Sequence, residues 1–200
     1  MKQILHVTIG LLMLGACQTL PTSAEYVARG DGFFKDGKHA QAIAAYNRAL
    51  VLNPGNTSAY ASRGTVHFFD GHYNLAQEDF ERVLKANPAY EDIYTAYGSV
   101  LAAQGNYEDA LKVFEVAIQL NPRKPENFFS RAGVFFMLGK FENALTDYTS
   151  VINLYPAADV YNARGATYLR MGKTDLAEKD FQMAKTDGLP ATLGLYFQHK

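Results

Sequence analysis

The chain has no tryptophan, a single cysteine and a formal net charge of only −1 over 200 residues. One cysteine cannot close an internal disulfide, nor can it supply a cysteine-based zinc cluster. The near balance of 19 basic and 20 acidic side chains lacks the excess that neutralises phosphates, so no nucleic acid is expected as a partner. The N-terminal apolar run, residues 4–16, is 13 residues long and interrupted by His6 and Thr8, short of the roughly 20 that a spanning helix needs. What is present is 48% hydrophobic residues, with 13 Tyr and 13 Phe. That suffices for one ordinary domain whose half-buried helix faces carry rings.

Catalytic chemistry is equally thin. No nucleophile elbow and no phosphate-binding loop occur. His39, His67, His72 and His199 fall at no ligand spacing, so neither a metal nor another cofactor is expected. His67 and His72, five apart, read as a helix position and a turn residue. An envelope hydrolase would need a reactive constellation that the sequence does not contain.

The N-terminus reads as an address. Met1-Lys2 gives a positive start, the apolar run follows, and small residues lead to Cys17. Leu14-Gly15-Ala16-Cys17 resembles the bacterial lipobox, which implies cleavage before Cys17 and acylation of that residue. Several acyl chains on one residue give durable anchoring where one alone leaves binding reversible. Gln18 stands where inner-membrane lipoproteins often carry Asp, so the resemblance implies an outer-membrane anchor facing the periplasm of a bacterial envelope. Thr22 and Glu25 have the spacing of a capping box, which starts the folded body about five residues after the cysteine. Such a tether reaches about 20 Å at most.

Beyond it runs a period. Gly37, Gly71, Gly105, Gly139 and Gly172 are spaced by 34, 34, 34 and 33 residues. The same register holds for Ala42, Ala76, Ala110, Ala144 and Ala177, for Tyr46, Phe80, Phe114, Tyr148 and Phe181, and for Pro54, Pro88, Pro122 and Pro156. Tyr26, Tyr60, Tyr94, Phe128 and Tyr161 open each unit, followed four residues on by Gly30, Gly64, Gly98, Ala132 and Gly165. A repeated small residue lets a second helix approach closely, a glycine after the first helix permits a positive φ, and a terminal proline stops the second. These residues resemble the tetratricopeptide pattern.

The resemblance implies an all-α fold, a right-handed α-solenoid of about five helix-turn-helix repeats with a short C-terminal capping helix. The expected organisation is a signal over 1–16, a lipidated tether over 17–22, and repeats over 23–188, with units 23–56, 57–90, 91–124, 125–157 and 158–188. A cap over 189–200 follows, in which Leu193, Tyr196 and Phe197 would cover the exposed end. The last unit departs from the pattern: Thr174 replaces the ring found at Tyr73, Tyr107 and Phe141, and Gly188-Leu189-Pro190 replaces the Asn-Pro ending.

In this family the first helix of each repeat lines a concave groove that receives peptides or partner helices. Carried over by position, the groove residues are Val27, Asp31 and Phe34; Ala61, Thr65, Phe68 and Phe69; Thr95, Ser99 and Ala102; Phe129, Gly133, Phe136 and Met137; and Asn162, Ala166, Leu169 and Arg170. The carboxylate clamp of chaperone-binding members is absent, because Val27, Asp31, Ser62, Asp92 and Ala96 stand at its places. Arg29, Arg63, Arg131 and Arg164 recur before the small residue, as a stripe reading anions or as packing arms, and the repeat-wide placement favours packing. The expectation is a non-enzymatic protein-binding adaptor, similar to repeat lipoproteins that scaffold cell-wall enzymes. The alternative is a pilot-like assembly factor for an outer-membrane secretin or pilus. Apolar rings on the terminal repeat leave room for a homodimer.

Overall fold

The structure is a computed structural model and describes residues 20–186 and 189–192. Among the described residues ten helices follow in pairs: α1 (Ser23–Lys35) with α2 (His39–Leu52), α3 (Thr57–Phe69) with α4 (Tyr73–Ala86), α5 (Glu91–Ala103) with α6 (Tyr107–Leu120), α7 (Pro125–Met137) with α8 (Phe141–Leu154), and α9 (Ala158–Arg170) with α10 (Thr174–Met183). Among the described residues there is no strand, and no helix is long and apolar enough to cross a membrane. Cys17 and residues 193–200, with Leu193, Tyr196, Phe197 and His199, lie outside the described residues.

Each pair is hinged in one way. Gly37, Gly71, Gly105, Gly139 and Gly172 take φ between 71° and 82°, which only glycine adopts without strain. The residue after each glycine donates its N–H back across the turn: Lys38 to the Phe33 carbonyl at 2.8 Å, His72 to His67 at 2.8 Å and Asn106 to Leu101 at 2.9 Å, with Lys140 and Lys173 repeating the bond. This Schellman closure satisfies the end of the first helix. It also explains the histidine pair, because His67 and His72 are the two residues this closure joins, and their rings meet edge-on at 5.9 Å.

The small residues work as close-approach points. A Cβ on Gly98 would lie 2.7 Å from the Phe114 ring, and one on Gly64 2.8 Å from Phe80. Around them Ala42, Ala76, Ala110, Ala144 and Ala177 are fully buried, and the core runs as a series of clusters from pair to pair.

The ends of the stack differ from its middle. Ala59, Ile93, Asn127 and Val160 are buried against the preceding pair, while the equivalent Glu25 is exposed and completes a capping box with Thr22. Val66, Val100, Val134 and Thr167 are likewise buried where α1 has exposed Gly32. At the other end Glu178 and Lys185 are exposed where Leu111 and Leu145, and Leu84, Ile118 and Ile152, are half-buried against a following pair.

Most of the cap expected over 189–200 lies outside the described residues. In the part that is described, the Pro190 carbonyl accepts the Ala158 N–H at 2.9 Å and the Ala191 carbonyl accepts that of Asp159 at 3.3 Å. Helix α9 has Ala157 at its N-cap with no side-chain bond, so the returning chain supplies the missing acceptors.

Candidate functional site

The first helices touch one another, α1 with α3, α3 with α5 and α5 with α7, while the second helices make no comparable contact. A stack whose first helices crowd together curves toward them, so α1, α3, α5, α7 and α9 form the inner wall.

The floor of that wall is a row of small or short residues: Asp31, Thr65, Ser99, Gly133 and Ala166, all half-buried. The Thr65 and Ser99 hydroxyls are turned back, donating at 2.9 Å to the Ala61 and Thr95 carbonyls four residues earlier. Asp31 accepts the Tyr46 hydroxyl at 2.7 Å, and burial first, with that carboxylate second, pushes the Tyr46 phenol well above its ordinary value. Gly133 is different. A Cβ there would meet nothing within 4 Å, so it faces open space.

Two sequence-derived positions are corrected. Ala61 is buried in the core between pairs, and Thr95 is fully buried. The Thr95 hydroxyl donates to Asn127 Oδ1, whose amide in turn donates to the Ala117 carbonyl at 3.0 Å. The polar Asn127, at a position that is apolar in the second, third and fifth pairs, bonds Thr95 and joins the third pair to the fourth.

Above the floor runs an aromatic ledge. Phe34 meets His39 at 5.4 Å and Phe69 of the next pair at 5.6 Å; Phe68 meets Tyr73 and Phe69, each at 5.9 Å; Phe136 meets Phe141 at 5.7 Å. The guanidinium of Arg170 lies 5.6 Å from both the Phe136 and the Phe141 ring, the place that Phe69 takes over Phe34. Phe69, Met137 and Leu169 are 52%, 64% and 47% exposed. Val27 and Ala102 are half-buried beside the rings, Phe129 packs edge-on against Tyr148, and Asn162 is exposed. Sequence reasoning missed His39, Tyr73 and Phe141. The signal was present, as a ring five residues after each ledge ring.

The recurring arginines are not an anion-reading stripe. Arg63, Arg131 and Arg164 each fork onto a carboxylate 16 residues later, Asp79, Asp147 and Asp180, with bonds of 2.6 to 2.8 Å. Those hydrogen bonds hold the guanidinium pKa values above their ordinary range, against the opposing pull of burial. Each also stacks on its own helix's opening ring, Tyr60, Phe128 or Tyr161. Arg29 has Ala45 at the acidic place and lies over Tyr26 alone. A dent of about 200 Å³ beside the first of these pairs is lined by Ile43, Leu75, Glu78 and His67. Among the described residues no group of three potential ligands converges on a metal position.

A curved wall of antiparallel helix pairs with an open, ring-flanked floor defines a helical-repeat interaction scaffold. Models of the tetratricopeptide repeat match residues 62–125, 126–158 and 158–185, and a TPR repeat model matches residues 30–71. The chain belongs to the tetratricopeptide repeat family. Among solved structures it is similar to MamA from Desulfovibrio magneticus RS-1, at 17% identity and TM-score 0.75, covering 81% of this chain and 92% of that one. It is also similar to TTC0263, a thermophilic TPR protein of Thermus thermophilus, at 23% identity and TM-score 0.68, covering 82% and 90%. YrrB, described as a TPR protein with an unusual peptide-binding site, aligns at 24% identity and TM-score 0.66, covering 81% and 84%. No curated protein matches the sequence.

Proposed function

We propose that this chain is a non-enzymatic adaptor that recruits an extended peptide segment of a partner protein into its concave groove while held on the bacterial envelope by lipid on Cys17. The observation that carries the groove is Gly133: an unobstructed point in the floor, between Ser99 and Ala166 and below the half-exposed rings. Concave sites with apolar rings and a few polar groups suit side chains of a docked segment. A peptide is also the kind of ligand for which the similar YrrB is described. The lipobox spacing before Cys17 supports the anchor, and the short tether to Thr22 would keep the groove close to the bilayer.

Photo-crosslinking probes at Phe69 and Met137 in intact cells test the groove, with a probe at exposed Val51 on the outer face as control. Adducts are expected from the first two and lost in Gly133→Trp. Adducts indifferent to Gly133→Trp, or formed only from position 51, would overturn the groove. For the anchor, Cys17→Ala is expected to abolish palmitate labelling and release the chain from membranes. Retention of that variant on membranes would refute it.

A further inference from the structure

The two ends of the ledge carry different charge. At the first two pairs His39 holds Asp70 at 2.5 Å, Lys38 holds Asp36 at 2.8 Å and Phe69 occupies the outer place, with exposed Lys35 the one ledge cation outside these pairs among the described residues. At the last two pairs that outer place is Arg170, with Lys140 just before Phe141 and Lys173 three residues after Arg170. Among the described residues the side chains of these three cations enter no hydrogen bond or ion pair. The position of Asp70 is taken in the fifth pair by Met171. The nearest acids along the chain, Glu142 and Asp175, are exposed and form no ion pair with Arg170.

Arg170 is also held in place. Its guanidinium carbon lies 5.6 Å from two ring centroids, a cation–π setting that limits the freedom a new bond must remove. Leu169 precedes Arg170 and Met137 follows Phe136 in the chain, and they are the most exposed apolar side chains of their helices. A guanidinium held over two rings, with Lys140 and Lys173 at the adjacent turns of the chain and exposed Met137 and Leu169 on the same two helices as the ledge, is complementary to one kind of ligand.

We propose that the ledge of the fourth and fifth pairs is an acid-reading subsite. Arg170 pairs with an Asp or Glu side chain of the docked peptide, and a neighbouring apolar residue of that peptide rests on Met137 and Leu169. The inference rests on the groove reading above and adds orientation to it, since the acidic part of the ligand lies at the C-terminal end of the stack and its apolar part toward Phe34 and Phe69.

The test uses the full-length chain and a fluorescein-labelled pool of C-terminally amidated ten-residue peptides alternating Glu or Asp with Leu or Phe. A matched pool carries Gln and Asn in place of the acids. The acidic pool is expected to bind about tenfold more tightly, the worth of one charge-assisted hydrogen-bonded contact. Arg170→Gln is expected to erase that preference and Arg170→Lys to restore it only in part, with helicity unchanged because Arg170 is exposed. Raised salt narrows the gap between the pools. Equal binding of the two pools, still blocked by Gly133→Trp, would overturn the subsite and leave the groove standing. No binding of either pool, with Arg170-dependent attachment to anionic phospholipid vesicles instead, would overturn the subsite in favour of a membrane surface. Failure of Gly133→Trp to affect any binding strikes at the groove itself.

Discussion

At the residue scale, glycines that look alike in the sequence do opposite work. Gly98 sits against Phe114 and Gly133 against nothing. Gly133→Ala is expected to raise stability by about 0.5–1 kcal/mol, the helix-propensity difference, as read by urea midpoint. Gly98→Val is expected to lower it by about 2 kcal/mol, because the Phe114 ring has nowhere to retreat. His67 supplies a second contrast. It is buried, and burial, the largest cause, holds its pKa below the ordinary value despite an opposing pull from Asp79. A histidine depressed in the folded state binds fewer protons there than in the unfolded chain. Stability is therefore full above pH ~6.5 and declines as pH falls through the folded-state value. Leu101, Phe135 and Tyr168 occupy the same place in other pairs, so His67→Leu fits the site. Comparing urea midpoints at pH 7.5 and 5.5, the acid-induced loss should be smaller in His67→Leu than in the parent chain; an equal loss would contradict the burial argument.

At the element scale, the helix hairpin creates relations that no window of sequence displays. Asp147 becomes meaningful only when α8 folds back and presents it to Arg131. Removing one partner of a buried pair leaves an uncompensated charge, so Asp147→Ala is expected to cost about 3 kcal/mol. The third pair shows the uncharged solution, with Tyr97 and Val113 at the two places. Arg131→Tyr combined with Asp147→Val should recover most of the loss in chemical denaturation. The register of the repeats, the glycine turns and the Thr22 capping box were legible in the sequence, since each depends on residues within one turn or one period. The Arg–Asp forks were half legible: the arginines recur visibly, and acids recur with them in the second, fourth and fifth units. Their pairing needed the antiparallel geometry. Thr95 was misplaced because its partner Asn127 lies in the next unit and breaks the apolar pattern there. The groove floor was readable as a row of small residues, but which of them face open space depends on backbone placement. The tail's capping of α9 was hidden entirely, since it is made by main-chain carbonyls that carry no sequence signature. Deleting residues 189–200 is expected to speed amide exchange at the start of α9 several-fold while leaving α1 to α6 untouched.

At the scale of the whole molecule, each pair touches chiefly its neighbours, so stability is close to a sum of pair and interface contributions, and unravelling begins at the ends. Helix α10 has 10 residues where α2, α4, α6 and α8 have 14. Hydrogen exchange should therefore be fastest there and slowest in α4 to α6. The hydrophilic side chains that terminate the array, Glu25 at one edge and Glu178 and Lys185 at the other, also fix how the protein can be lengthened. Grafting an additional copy of residues 91–124 onto either extremity would leave it dangling. Splicing that same copy into the interior, between Tyr90 and Glu91, would give it matching surfaces on both sides and yield a longer rod with unchanged tips.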